Sequence, residues 1–248
     1  MRILKHGGKY LENKAKLNRN TSIPLLIISF GGLLYSFLSL NFSLIYLFII
    51  ILIIGDLFFK NYSNYKGGLE AENLVTRSLY SLSNDYYLIN DIKLKDSYGN
   101  IDHIVLGPNG IFVIETKNYS GQIICKGDEW IRHYEGGLKT SMRRRPYWVS
   151  DRDYDIGSPS KQAKRNAVKI KQIVESSKIF KKSIKIWVEG IVVFTNPNVD
   201  LQLTNTTVPV LTIDELYDYI INKKSKIKFS SRELESIGKL ILRLAEAD

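Results

Sequence analysis

The chain has 248 residues, long enough for one or two domains, and its 35 Lys+Arg against 25 Asp+Glu give a formal net charge of +10. A single cysteine, Cys125, excludes an internal disulfide framework and a zinc–thiolate cluster, and fits a reducing compartment. Three scattered histidines, His6, His103 and His133, argue against a histidine-based metal site.

Residues 1–21 form a basic segment in which Arg2, Lys5, Lys9, Lys14, Lys16 and Arg19 stand against Glu12 alone. Residues 22–59 then carry Asp56 as their only charge. A single helix of that length would run about 57 Å at 1.5 Å per residue, far more than the roughly 30 Å of a bilayer core. The stretch therefore reads as two transmembrane helices, 23–40 and 42–59, turning at Ser39-Leu40-Asn41-Phe42-Ser43. A single span with an interfacial helix is the alternative. The apolar run is too long for a signal-peptide core, and no small-residue cleavage site follows it. The positive-inside rule puts both termini in the cytoplasm, with residues 22–59 in the lipid bilayer of the cell membrane.

Residues 60–67 read as a polar linker and 68–248 as the soluble domain. Leu69, Glu72, Val75, Leu79 and Leu82 recur at helical spacing over 69–82, so Glu72 falls on an apolar stripe. A carboxylate there is either an acid favoured near a helix N-terminus or a site residue. Tyr86–Ile92 reads as a strand. Ile101–Leu106 and Ile111–Lys117 flank Gly107-Pro108-Asn109-Gly110, a hairpin with a four-residue loop. Strands at 122–125 and 129–134 follow, then an irregular polar stretch over 141–157. Ser158 with Pro159 starts a helix running to about Ser177. Strands at 184–194 and 208–211 precede a helix over 213–222. A last helix opens on the Ser230/Glu233 capping box, with Leu234, Ile237, Ile241 and Leu244 as its core stripe. The order predicts an α/β (α+β) domain, a mixed sheet with helices on its faces.

If Leu106 faces Ile111 across the hairpin, Asp102 faces Glu115, and Lys117 shares their side of the sheet. Opposed like charges destabilise a sheet unless something neutralises them. A divalent cation would do so. Magnesium takes one or two carboxylates and fills its shell with water and phosphate oxygens. The Thr116 carbonyl, between the two, is a further candidate ligand, and Lys117 is suited to orient or deprotonate a water, or to pair with a phosphate.

The run Ile101-Asp102-His103-Ile104-Val105 followed by Gly110-Ile111-Phe112-Val113-Ile114-Glu115-Thr116-Lys117-Asn118-Tyr119-Ser120-Gly121 resembles the core of the nuclease-related domain, NERD, a branch of the PD-(D/E)XK restriction-endonuclease-like superfamily. Gly68-Leu69-Glu70-Ala71-Glu72 is similar to that family's opening Gly-x-x-Gly-Glu, with Ala71 in place of a glycine. Ser158-Pro159-Ser160-Lys161-Gln162 is similar to its Asn-Pro-x-x-Gln helix opening, with Ser158 in place of Asn. The resemblance covers about residues 67–180. It implies a restriction-endonuclease-like fold with Glu72, Asp102, Glu115, Lys117 and Gln162 as catalytic residues. It also implies Mg²⁺ or Mn²⁺ held by Asp102, Glu115, Glu72 and the Thr116 carbonyl, and phosphodiester hydrolysis of DNA, with RNA the alternative substrate. Arg143, Arg144, Arg145, Lys161, Lys164 and Arg165 are candidate nucleic-acid contacts. A solvated basic face is the competing reading of those cations. A catalytically silent nucleic-acid-binding or membrane scaffold or signalling module that retains the fold is the competing reading of the whole.

Overall fold

The computed structural model describes residues 1–95, 99–141, 144–177, 179–180, 186–225 and 227–245, with backbone alone over 137–141 and 144–149. In chain order the elements are β1 (Arg2–Lys5), α1 (Lys9–Leu38), α2 (Ser43–Ser78), β2 (Tyr87–Ile92), β3 (Ile101–Gly107), β4 (Gly110–Lys117), β5 (Gly121–Lys126) and β6 (Glu129–Tyr134). They continue with β7 (Gly137–Ser141), β8 (Arg144–Val149), β9 (Arg152–Asp155), α3 (Pro159–Glu175), β10 (Val188–Phe194), β11 (Val199–Thr204), β12 (Val210–Thr212), α4 (Ile213–Asn222) and α5 (Ser231–Leu244). The chain divides into two compact units: residues 8–73, and residues 1–7 together with 74–248.

The 8–73 unit is a helical hairpin. Both of its helices are long and apolar enough to cross a membrane. Ala15, Ser22, Ser29 and Ser36, seven residues apart, form a buried small-residue stripe on α1. The hydroxyls of Ser22, Ser29 and Ser36 bond back to Arg19, Leu26 and Gly32 carbonyls of their own helix, so close packing leaves no polar group stranded. The Phe48 ring occupies the space a side chain at Gly32 would need. Outward positions such as Ile27, Phe30, Tyr46 and Ile50 are exposed apolar groups. The expected polar linker over 60–67 is instead helical: α2 runs through it without a break to Ser78.

The larger unit is built on a six-stranded mixed sheet in the order β1-β2-β3-β4-β10-β12. Strand β3 is antiparallel to both of its neighbours, β2 and β4, whereas β1 pairs parallel with β2, and β10 parallel with both β4 and β12. Alternation splits the side chains into two cores. Ile104, Leu106, Ile111 and Val113 face the core shared with Ala167, Ile170 and Val174 of α3 and Leu234, Ile237 and Ile241 of α5. Val105, Phe112 and Ile114 face the core shared with Val75, Leu79 and Leu82, and with Leu216 and Ile220 of α4. Leu244, the expected fourth member of the α5 stripe, is 42% exposed. The β3–β4 loop is shorter than expected: Gly107 pairs with Gly110, leaving Pro108 and Asn109 as the turn. Asn109 is buried there, accepting from Tyr86 Oη at 3.0 Å and donating to the Ile220 carbonyl at 2.6 Å.

The sequence did not predict β1, which lies in the segment read as a basic tail, or β11. A single sheet was expected; a four-stranded sheet, β11-β5-β6-β9, and a two-stranded ribbon, β7-β8, accompany the first. The stretch read as irregular over 141–157 holds β8 and β9. Gly121, at φ +80°, takes a backbone conformation open to glycine as the chain passes from β4 into β5.

Two features of this unit can be tested by substitution. A Cβ at Gly190 on β10 would come within 2.7 Å of the Ala163 carbonyl carbon and oxygen, so the α3 backbone lies directly on the strand. Gly190→Ala is expected to cost about 1–3 kcal/mol, read by chemical denaturation, because α3 must lift. His103 is fully buried, with Nδ1 2.8 Å from Asn90 Oδ1 and Nε2 without a partner. Burial pulls its pKa from 6.5 down to about 3. Its contribution to stability is thus complete above pH 6.5 and is lost as pH falls toward 3, because the unfolded chain takes up a proton that the folded chain refuses. The slope is about 1.4 kcal/mol per pH unit. His103→Gln is expected to remove that component; equal acid sensitivity of the variant and the parent would contradict it.

Candidate active site

At the end of β3 and β4 away from the turn, the backbone pairing is as expected through His103–Ile114. Asp102 lies one residue beyond that last pair. Its Oδ2 accepts the Thr116 N–H at 2.7 Å, and a main-chain dipole thus offsets part of the carboxylate's charge. Glu115, 7% exposed, takes its neutralisation from Lys117, whose Nζ lies 2.7 Å from Glu115 Oε1. The Lys117 side chain is itself only 19% exposed. Burial acts to lower its pKa, but the Glu115 carboxylate, its hydrogen bond and the charge of Asp102 outweigh burial and hold the pKa above the ordinary lysine value. Asp102, Glu115 and Lys117 therefore form one electrostatic cluster, with the ammonium bonded to Glu115 and within range of the Asp102 charge. His103, next in sequence to Asp102, faces the opposite core.

Gln162 stands in the first turn of α3, which packs over β4 and β10. Its N–H bonds to the Ser158 carbonyl at 3.1 Å. Among the described residues, no hydrogen bond joins its side chain to Lys117 or to either carboxylate. The helix start is fixed by a network that the sequence reading missed. Asp128, in the β5–β6 turn, accepts from Ser160 Oγ at 2.6 Å, Lys164 Nζ at 2.6 Å and Thr207 Oγ1 at 2.5 Å. Ser160 in turn receives the Trp130 indole N–H at 3.0 Å, and Ser158 Oγ donates to the Asp128 carbonyl at 2.8 Å. The Lys164, Ser160 and Thr207 bonds hold the Asp128 carboxyl far below the usual carboxylate range. The Lys-Gly-Asp run signals a turn; nothing local to it signals that Asp128 anchors a helix more than thirty residues away.

Glu72 lies on α2 in the helical unit, half-buried and with an interaction of its own. The hydrogen bond resolved at Thr116 is made by its N–H rather than its carbonyl. Of the expected nucleic-acid contacts, Lys161 and Arg165 are exposed on α3, whereas Lys164 is committed to Asp128. Arg143 lies outside the described residues. Arg144 and Arg145 are on β8, where only the backbone is described.

Among the described residues no three Asp, Glu, His or Cys side chains are grouped so as to hold a metal. Asp102 and Glu115 form a two-carboxylate, all-oxygen set. That suits Mg²⁺ or Mn²⁺, which bind through one or two carboxylates and otherwise through water and phosphate oxygens, and does not suit a metal that prefers sulfur or imidazole.

No solved structure matches this chain. An uncharacterised protein of Bacillus anthracis is 37% identical over 86 residues, 32% of this chain, and the match spans 40% of that relative's length. The nuclease-related domain model matches residues 67–195, the interval that holds Glu72, the hairpin carboxylates, Lys117 and the start of α3. The chain therefore belongs to the nuclease-related domain, or NERD, family.

Proposed function

We propose that the protein is a membrane-anchored nuclease that hydrolyses phosphodiester bonds with Mg²⁺ or Mn²⁺, acting on DNA, with RNA as the alternative substrate. The observation that carries this reading is the clustering of Asp102, Glu115 and Lys117 at one end of the β3–β4 hairpin. Asp102 and Glu115 would hold the metal, with the Thr116 carbonyl as a further ligand. The bound ion supplies a water of lowered pKa and stabilises charge on the phosphate. Lys117, beside Glu115, assists the attacking water or pairs with the phosphate. Gln162, in the first turn of α3, is assigned to orient Lys117 or the phosphate.

The membrane part of the proposal rests on connectivity. β1 precedes α1, and β2 follows α2, yet the two strands are paired in one sheet. The intervening helices must return to the side they left, so they cross the bilayer twice or not at all. That disfavours the single-span alternative. The basic residues flanking the hairpin then favour a cytoplasmic domain at the cell membrane.

Full-length protein in detergent is expected to degrade DNA in Mn²⁺. Glu115→Ala and Asp102→Ala are expected to lower the rate at least 10²-fold with circular dichroism unchanged. Cleavage at the parent rate in both variants would refute the assigned chemistry. Absence of cleavage of any DNA or RNA by the parent would favour the silent scaffold. For topology, tags at the two termini are expected to be equally protected from protease added outside intact cells. One tag protected and the other digested would overturn the two-span arrangement.

A further inference from the structure

Beyond Lys117 the chain crosses from the first sheet to the second, and that crossing leads into a row of flat side chains on one face of the β5–β6–β9 sheet. Tyr119 is two residues past Lys117. The Arg132 guanidinium on β6 lies 5.8 Å from the Tyr119 ring centre and 4.7 Å from that of Tyr134. Tyr134 meets Tyr154 of β9 edge-to-face at 5.3 Å. The register supports one continuous face: Arg132 pairs with Tyr154, and Tyr134 with Arg152. Alternation along β6 puts Trp130, Arg132 and Tyr134 on the same side. Trp130, stacked on Phe194, closes the buried end of that face. Tyr134 and Tyr154, 44% and 48% exposed, form its open end.

The packing of this row is poorly explained by folding alone. Two large rings stand about half in solvent at the open end. Arg132 is pinned by two hydrogen bonds from its guanidinium, Nε to the Ser120 carbonyl at 2.9 Å and Nη2 to Ser120 Oγ at 3.0 Å. It makes no ion pair among the described residues. A fixed, unneutralised guanidinium flanked by aromatic rings presents a stacking plane and a positive charge together. Arg152, exposed opposite Tyr134, adds a second cation. Ring faces are of use only to bases that are not already stacked in a duplex. A positive row with interleaved aromatics is the recognition chemistry of single-stranded nucleic acid.

We infer that the Tyr119–Arg132–Tyr134–Tyr154 row binds single-stranded nucleic acid and leads it to the Asp102–Glu115–Lys117 cluster. The inference rests on the nuclease reading for what happens at that cluster, but not for the binding itself. The substrate is then a single strand, an overhang or a flap, whose bases stack on the row while its backbone passes Lys117. Duplex lacking a free strand offers the row only its phosphates.

The test is binding without turnover. Full-length protein in detergent micelles, with EDTA present, is titrated against a fluorescently labelled oligothymidylate and against a blunt duplex of similar length. The single strand is expected to bind at least tenfold more tightly. Tyr134→Ala and Tyr154→Ala are each expected to weaken single-strand binding about five- to fiftyfold, the scale of one lost base-stacking contact. They should leave duplex binding unchanged, and Tyr134→Phe should restore most of the loss. Duplex bound as tightly as single strand, or alanine variants that bind like the parent, would overturn the inference. Cleavage assayed separately in Mn²⁺ keeps the two readings apart. Selective binding without cleavage would leave the row standing and remove the nuclease. Cleavage without strand selectivity would do the reverse.

Discussion

Everything at the candidate site follows from placing two carboxylates beside each other at the end of a buried hairpin. Unpaired, such charges would be costly to bury. The chain meets the cost with what lies within two residues of Glu115: the Thr116 N–H for Asp102 and the Lys117 ammonium for Glu115. The alternating strand makes this possible, because Glu115 and Lys117 share a face while the backbone of Thr116 between them points into the ladder. The same arrangement sets the chemistry. The Glu115 carboxylate, 2.7 Å from Lys117 Nζ, favours the charged form of the lysine, so the site carries an ammonium beside its acids.

The second constraint is how close α3 comes to the sheet. Gly190 admits the Ala163 backbone, and Asp128 ties the start of the helix to the β5–β6 turn through Ser160, Ser158 and Lys164. Lys164 thereby trades a place among the cations of α3 for a structural one. This joint holds the second sheet, and with it the exposed tyrosines, in fixed relation to the hairpin.

Local signals in the sequence carried the hairpin well. The register over His103–Leu106 follows from β-branched runs around a glycine-bounded turn, and the capped starts of α3 and α5 follow from Ser158-Pro159 and Ser230 with Glu233. What stayed illegible depends on distant partners. β1 is four residues of mixed character that become a strand because β2 offers an edge. β11 is likewise a polar run, exposed at every second residue or more, made a strand by pairing with β5. Residues 60–67 have a linker's composition but continue a helix already formed, and extending a helix costs less than starting one. At the site, the pairing of Asp102 with a backbone N–H could not be read from residue types, since the pattern predicts which face a carboxylate takes and not which donor it finds.

The pairing of β1 with β2 also imposes an order of assembly. Arg2–Lys5 is synthesised first but has no partner until Tyr87–Ile89 has been made, after the whole helical hairpin. Parallel pairing across so long a loop is slow to form, because the ends must be brought together before any contact compensates. The edge of the six-stranded sheet therefore closes last, and, if the helical hairpin spans a bilayer as proposed, only when both of its ends lie on one side. Until that pairing forms, β2 is an open edge, a template for pairing with another chain.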